Sequence, residues 1–566
     1  MGDASICAVG WEAVASRIVA GSPRLVVVEV FPGVSDEDTR ELVRRLGAGA
    51  VFETSDALLP PEQVDALVLP ELTDDRVFGK LSRLQMRDFF DPGKLARLAQ
   101  QVASEAGRVV VVGPGASLVA RGDVTVLAEM PRWETQLRQR RGEVGNLGAA
   151  NQGEGASQLY KRSYFIDWRV CDRHKKARWA DFDHFLDSTI PSSPRLISRD
   201  AMERALDVVA SRPFRVVPYF DPAPWGGEWM RRVCELDPRP PNFGWCFDCV
   251  PEENSLLLDF DGNQFETPAA NLVFQRPRQL LGETVERRFG AEFPIRFDFL
   301  DTMGGGNLSL QVHPLTAYIR EHFGVRYTQD ESYYMLDAAP EGSVFLGLRE
   351  GVDRERFAAD LRRAEAGEIS FPADEYVNKF PARRHDHFLI PAGTIHCSGA
   401  GGMVLEISAT PYIFTFKLWD WDRLGLDGLP RPINVEHGLR NIQWDRDTNF
   451  ALRELVNHVV PVAEGPGWSE ERTGLHPTEF IETRRHWFTG TAPHPHDDAG
   501  VNVLNLVEGT EAIVESPDNA FSPYVVHYAE TFIVPAAAGP YAIRPSGDRA
   551  VAGHATIKAF VRTATA

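Results

Sequence analysis

Residues 308–314 read Leu-Ser-Leu-Gln-Val-His-Pro (LSLQVHP). In an extended chain successive side chains point to opposite faces. Leu310 and Val312 therefore share one face, and Gln311 and His313 share the other. A polar pair turned inward on an apolar strand is costly unless something satisfies it, and a metal ion would do so. Two further stretches supply the same kind of ligand. Residues 330–336 (DESYYML) place Glu331 at the head of a strand, and residues 391–396 (PAGTIH) place His396 just after a Pro/Gly turn. Two imidazoles, one carboxylate and one amide oxygen form a mixed N/O set with open positions. That is the donor set of a catalytic divalent metal rather than of a closed thiolate site. His385-x-His387 is a rival pair, while His494-Pro495-His496, in a Pro/Asp-rich loop, reads as solvated.

Around LSLQVHP the chain is a run of short apolar strands broken by Gly, Pro and Asn. They read as 214–217, 255–258, 295–300, 308–313, 333–336, 344–348, 387–390, 402–407 and 413–418. Such a series predicts a β-sandwich or barrel. Residues 353–366 (DRERFAADLRRAEA) interrupt it as a helix with a polar face and i,i+4 charge pairs. The strand pattern returns at 501–506, 511–514, 530–534 and 556–562.

The first third reads differently. Residues 24–31 (RLVVVEVF), 66–69, 108–113 and 124–130 read as strands, and helices follow at 35–46 and from Asp91-Pro92 to about residue 106. Strands separated by helices of this length predict a parallel sheet with crossover helices. Turns at 31–34 (FPGV) and 113–116 (GPGA) follow strands but lack the Lys-Ser/Thr pair of a P-loop, so they read as tight turns. The basic run Arg169–Lys176 reads as a solvated helix face. Together these features faintly resemble a P-loop nucleotide kinase domain that lacks the Walker lysine.

Composition bounds the function. The chain has 566 residues, 43% hydrophobic and 25% charged, an ordinary globular make-up. With 60 Lys and Arg against 80 Asp and Glu, the net charge is −20, which disfavours nucleic acid and anionic membrane as partners. Six cysteines are too sparse for a disulfide scaffold. The Cys246-x-x-Cys249 pair has no second pair to complete a zinc site and reads as incidental thiols. The first residues lack a signal-peptide pattern and the longest apolar runs are strand-sized, so a soluble, cytoplasmic protein is expected.

Taken in order, PWGG (224–227), FPIRFDFLD (293–301), LSLQVHP, DESYYML, VFLGL (344–348), PAGTIHCSGAGGMVLEI (391–407) and FKLWDWDR (416–423) resemble the type I phosphomannose isomerases, zinc-dependent enzymes of the cupin fold. The resemblance covers about residues 213–450 and, more loosely, the remainder. It implies Gln311, His313, Glu331 and His396 as ligands of one Zn²⁺ per chain, another divalent transition metal being an alternative. It implies the interconversion of mannose 6-phosphate and fructose 6-phosphate through a cis-enediolate. It also points to Glu406 as the proton carrier, or as a carboxylate orienting His396. Lys417 would stabilise the enediolate or bind phosphate, with Arg423 as a further substrate contact. Asp420, Asp422 and Arg423 read first as a salt-bridged corner.

Departures from the family bear on the substrate. Short bacterial relatives carry lysines where this chain has Gln329 and Asp298, and an arginine where it has Lys417. The segment Arg169–Lys176 is a candidate source of replacement cations. The expected organisation is an α/β kinase-like domain at 1–212, a metal-binding cupin with a helical insertion at 213–450, and a metal-free cupin-like domain at 451–566. The expected partner is a sugar or sugar phosphate. A non-catalytic sugar sensor, an isomerase of an unphosphorylated sugar and a bifunctional enzyme with a weak kinase half are the alternatives.

Overall fold

The computed structural model describes residues 6–410, 412–425, 428, 431–474, 476–495, 500–546 and 553–562. The chain divides into two compact units. One comprises residues up to Val208 together with Glu252–Gln275, and the other comprises Val209–Pro251 and the chain from Arg276 onward.

The first unit is a seven-stranded sheet of β1 (Ala8–Val9), β2 (Leu25–Val30), β3 (Ala50–Glu53), β4 (Val109–Gly113), β5 (Val124–Glu129), β6 (His184–Asp187) and β7 (Arg195–Ser198), in the order β1-β7-β6-β5-β2-β4-β3. The five strands from β6 to β3 are parallel, and β7 and β1 close the other edge antiparallel. Val26, Val28, Val110, Val112 and Val126 pack one sheet face against Val14 and Ile18 of the helix Trp11–Ile18 and Leu42 and Leu46 of Asp36–Leu46. The caps are those the residues dictate. Ser35 accepts from Asp38 N, Gly47 ends that helix left-handed at φ 61°, and Asp91 accepts from Lys94 N ahead of Pro92–Ser104.

Two readings of this unit are corrected. Residues 66–69 are not a strand but lie inside the helix Pro61–Leu72, which Pro61 starts at its first turn. The basic run is not a solvated face either. Lys175, on the helix Trp168–Arg178, is 2% exposed and donates to Glu129 Oε2 at 2.9 Å. Its neighbour His174 lies against Ser117 Oγ at 2.9 Å and Glu29 Oε2 at 3.2 Å. The Glu29 carboxylate also takes the N–H groups of Gly115 and Ser117, so this turn's donors are filled by the chain itself.

From Val209 the chain forms β8 (Tyr219–Asp221) and β9 (Trp245–Cys249), then returns to the first unit as the hairpin β10 (Ser255–Phe260) and β11 (Asn263–Pro268) and the helix Ala270–Gln275. The expected strand at 214–217 is not a continuous strand, with Phe214 bridging to Ile533, and the strand at 255–258 belongs to the α/β unit rather than to a barrel. Asn271 Nδ2 donates to Glu129 Oε1 at 2.6 Å, Glu266 N to Asp187 Oδ2 at 3.0 Å, and Gln136 Nε2 to Glu253 Oε2 at 3.0 Å. The excursion thus satisfies carboxylates at the ends of β5 and β6.

The second unit holds two jelly rolls. The first is β12 (Ile295–Asp301), β13 (Leu310–Val312), β14 (Glu331–Ala338), β15 (Ser343–Leu348), β16 (Val377–Pro381), β17 (His387–Ile390), β18 (His396–Ser398), β19 (Gly402–Ala409) and β20 (Phe416–Trp419). Its sheets run β17-β14-β19-β12-β9-β8 and β16-β15-β18-β13-β20. The expected helical insertion, Arg354–Glu365, lies between β15 and β16 and buries Phe357, Leu361 and Ala364. The second comprises β21 (Val460–Gly465), β22 (Trp468–Gly474), β23 (Ile481–Phe488), β24 (Ala492–His494), β25 (Asn502–Glu508), β26 (Glu511–Glu515), β27 (Tyr524–His527), β28 (Thr531–Val534), β29 (Tyr541–Ser546) and β30 (His554–Val561). Its sheets run β21-β22-β23-β30-β25-β28 and β24-β29-β26-β27. Reading β12–β19 onto β23–β30 reproduces both strand orders. The fold class read from the sequence, an α/β parallel-sheet domain followed by jelly-roll β-barrels, is the one observed.

Candidate metal centre and its surroundings

The alternation of LSLQVHP gives β13 its two faces. Gln311 pairs with His396 of β18 on one side and with Lys417 of β20 on the other. Directly opposed residues share a face, so these three side chains lie on one wall of the first jelly roll. Glu331, the first residue of β14, completes the group from the facing sheet. One ligand atom each from His313, Glu331 and His396 lies within 4.8 Å of the others, and no other such group of three occurs among the described residues. All three residues are 1% exposed or less.

The donor chemistry fits a cation. His313 Nδ1 lies 3.3 Å from Phe414 O, and His396 Nδ1 lies 2.8 Å from Thr394 O. With each Nδ1–H donated to a carbonyl, both Nε2 lone pairs converge on the Glu331 carboxylate, at 3.0 and 2.8 Å. Lone pairs facing a buried carboxylate repel unless a positive charge stands among them. The Gln311 amide lies 3.3 Å from His396 Nε2, within reach of the same point.

The turn that presents His396 is tied at several points. Gly393 N donates to His313 O at 3.0 Å, and Ala392 N donates to Asp330 Oδ1 at 2.7 Å. Arg446 Nη1 reaches Pro391 O at 2.6 Å, Ala392 O at 2.7 Å and Thr394 Oγ1 at 2.5 Å. Gly393 has φ 88°, and a Cβ there would meet Gln443 Cγ at 2.7 Å and Asn441 O at 2.8 Å. Both facts require glycine.

Glu406 stands one residue from the triad. Gln329 Nε2 donates to Glu331 Oε2 at 2.8 Å and to Glu406 Oε1 at 3.2 Å. The Glu406 carboxyl is pushed up to about 7, first by burial and then by the Glu331 charge, against the pull of Arg296. Arg296 is a residue that reading the sequence for ligands missed. It is 3% exposed, pairs with Glu406 and with Asp298 Oδ2 at 2.8 Å, and donates from Nε to Ser408 Oγ at 3.1 Å. Burial drives the Asp298 carboxyl well above the usual range, against the attraction of Arg296. The signal was present in Ile295-Arg296-Phe297-Asp298-Phe299, the same alternation as LSLQVHP.

Lys417 and Arg423 sit beyond the triad. Burial, then the charge of Arg431, pushes the Lys417 ammonium down to about 8. Arg423 Nη2 binds Asp420 Oδ1 at 2.6 Å, and Arg431 Nε binds Asp420 Oδ2 at 2.8 Å, so Asp420 and Arg423 do form a corner. Asp422 instead accepts from Ser370 Oγ at 2.6 Å. Of the rival histidines, His385 binds Tyr334 Oη at 2.8 Å and Glu508 Oε2 at 3.0 Å. Cys246 and Cys249 are three apart on β9, where burial drives both thiols well above the usual range.

In the second jelly roll the matching positions differ. His494 pairs with Tyr541 as Gln311 pairs with His396, and Asn502 opens β25 as Glu331 opens β14. Tyr541 Oη donates to Asn502 Oδ1 at 2.9 Å, a neutral bond in place of a carboxylate and imidazole. His496 lies outside the described residues.

Comparison with known proteins agrees with parts of this reading. Residues 10–211 match the family model described as "Domain of unknown function (DUF8485)". The chain is 28% identical over 218 residues to the mannose-6-phosphate isomerase of Streptococcus mutans serotype c, which is 38% of this chain and 63% of that protein. It is 23% identical over 250 residues to mannose-6-phosphate isomerase ManA of Bacillus subtilis, 44% of this chain and 73% of that one. Among solved structures, the mannose 6-phosphate isomerase from Bacillus subtilis aligns over 62% of this chain and 100% of its own, at TM-score 0.49 and 17% identity. A mutant phosphomannose isomerase from Salmonella typhimurium aligns over the same shares at TM-score 0.47 and 15% identity. Part of the chain is thus a distant relative of the mannose-6-phosphate isomerases. No helix among the described residues is long and apolar enough to cross a membrane.

Proposed function

We propose that the first jelly roll is a metal-dependent aldose–ketose isomerase of the mannose 6-phosphate/fructose 6-phosphate type. One observation carries the reading: a buried His313/Glu331/His396 group with a carboxyl, Glu406, joined to it through a single amide, Gln329. The distant kinship with mannose-6-phosphate isomerases supports it.

In this reading His313, Glu331 and His396, with Gln311 as a fourth ligand, hold one divalent ion, zinc being the first choice for an N/O set of this kind. When bound, the ion supplies Lewis-acid polarisation of a sugar carbonyl. The chain's own residues do the rest. Glu406, with a carboxyl near 7, takes the proton from C2 and returns it to C1 of the cis-enediolate. Arg296 holds that carboxyl in place. Lys417 faces the developing oxyanion, and Arg423 contacts the sugar. Water is kept out by the buried wall on which these groups stand.

The functional parts are proposed as the α/β part at 1–212, which residues 252–275 complete, the metal-binding jelly roll within 213–450, and the second jelly roll at 451–566. The six free cysteines fit a reducing, cytoplasmic compartment. A kinase role for the first part is disfavoured because Glu29 fills the turn's N–H groups. A non-catalytic sugar sensor is the second reading, favoured by one feature, the Arg296–Glu406 ion pair that could hold the base idle.

The test is an isomerase assay with metal content measured on the same sample. Mannose 6-phosphate, fructose 6-phosphate and the free sugars are offered with and without chelator. Conversion that chelation abolishes and Zn²⁺ restores, with about one metal per chain, is expected. Bound metal with no turnover of any sugar refutes the isomerase and leaves the sensor.

A further inference from the structure

The wall beside the triad carries a second polar group that the proposed chemistry only partly uses. Across β12, β19 and β14 the register sets two rungs with one residue between them: Arg296–Ser408–Glu331 and Asp298–Glu406–Tyr333. Opposed residues share a face, so the side chains of both rungs project to the same side as the candidate ligand Glu331. Arg296 and Asp298 are each 3% exposed, and Gln329 beside them is 2% exposed.

Contacts within the chain leave this patch incomplete. Arg296 uses Nε and Nη2 on Asp298, Ser408 and Glu406, and Gln329 uses its Nε2 on Glu331 and Glu406. Arg296 Nη1, Asp298 Oδ1 and Gln329 Oε1 have no hydrogen-bond partner. Buried polar atoms are almost always hydrogen-bonded, so three orphans in one patch call for something the chain does not supply. A second cation does not fit, because the Arg296 guanidinium already supplies the positive charge that faces the carboxylates of Asp298 and Glu406. A phosphate does not fit either. The single guanidinium is already ion-paired with two carboxylates, and the remaining open atoms are acceptors that would face phosphate oxygens. Hydroxyl groups do fit, since each can donate to Asp298 or Gln329 and accept from Arg296.

We infer that Arg296, Asp298 and Gln329 form a subsite for uncharged hydroxyls of a sugar chain, and that Asp298 and Gln329 set a preference for the unphosphorylated group at this end of the ligand. The inference takes from the isomerase reading only that the ligand is a sugar.

The test uses the metal-loaded full chain and D-mannitol, which no isomerase can convert. Binding is followed by calorimetry, with excess inorganic phosphate as competitor. Wild type binds mannitol, phosphate does not displace it, and Asp298→Ala, the near-isosteric Asp298→Asn and Gln329→Ala each weaken it by about tenfold or more. Asp298→Lys becomes sensitive to phosphate. The inference is overturned if wild type shows no mannitol binding, if Asp298→Ala, Asp298→Asn and Gln329→Ala all bind it as wild type does, or if phosphate displaces mannitol from wild type. Turnover of mannose 6-phosphate and of D-mannose, both measured on the same samples, separates the two readings. Mannitol binding that these variants lose, without any turnover, sinks the isomerase and keeps the subsite.

Discussion

Replacing Glu331 by Gln removes the one negative charge between two imidazoles while keeping the side chain's size. In the wild-type site the carboxylate lies 3.0 and 2.8 Å from the two Nε2 atoms, with no exposed surface on its side chain. If an ion completes this group, folding and metal binding are linked. A metal present at a thousand times its dissociation constant stabilises the folded chain by about 4 kcal/mol. For a large unit, about 2 °C per kcal/mol gives a fall of about 8 °C in Tm when the ion is stripped. The Gln variant loses the ligand charge, and metal affinity should drop by more than the roughly 10–100-fold seen when an outer partner of a metal ligand is lost. Thermal unfolding with and without chelator, and metal content by elemental analysis, read both effects. Wild type should lose about 8 °C to chelator and Glu331→Gln almost nothing, with metal far below one per chain. A wild-type Tm indifferent to chelator and to added Zn²⁺, or a Gln variant with full metal content, would refute the argument that this donor set requires a cation.

Further outcomes follow from the same geometry. Activity should rise as pH passes about 7, where Glu406 ionises, and fall above about 8, where Lys417 loses its proton; Lys417→Met should remove the alkaline limb of the kcat/KM profile. Arg446→Met should free the 391–394 turn from three bonds and lower metal affinity without removing a ligand, read as a weaker Zn²⁺ titration. Burial first, with Arg485 adding, pushes His387 down to about 3, and burial pushes His486 down to about 4. Both pKa values are depressed on folding, so the unfolded chain binds the protons first. Stability present above about 6.5 is therefore lost as pH falls, by about 2 kcal/mol per histidine at pH 5. His387→Phe should flatten the acid side of the urea-denaturation profile measured against pH.

Much of the site was legible because its information is local. LSLQVHP and PAGTIH carry alternation and turn chemistry within seven residues; the strand Leu310–Val312 forms inside the first, and His396 follows the turn of the second. Arg296 and Asp298 carry the same alternation, but as an apparent ion pair on a strand they announce no ligand. Their role depends on Glu406 and Gln329, which only strand register brings alongside. Residues 66–69 misled because Leu67, Val68 and Leu69 suit a strand, while the start signal at Pro60-Pro61 lies outside that window. Lys175 misled because its charge suggests water, and its partner Glu129 lies 46 residues away. The strand at 255–258 was legible as a strand, but which unit it joins is decided by Asn271, Glu266 and Glu253 meeting side chains and strand ends far back in the chain.

That excursion has a consequence for how such a chain can be rearranged. The α/β unit is sewn from two pieces of sequence, and its second piece sits inside the stretch that encodes the jelly rolls. A gene cut after residue 212 would deliver a sheet whose Glu129–Lys175 pair has lost Asn271, and whose Asp187 has lost the backbone donor from Glu266. Recombination that swaps the front of the chain for a different module would strand residues 252–275 without the surface they complete. The two units can be exchanged between proteins only as a linked pair, so whatever the first contributes is inherited together with the second.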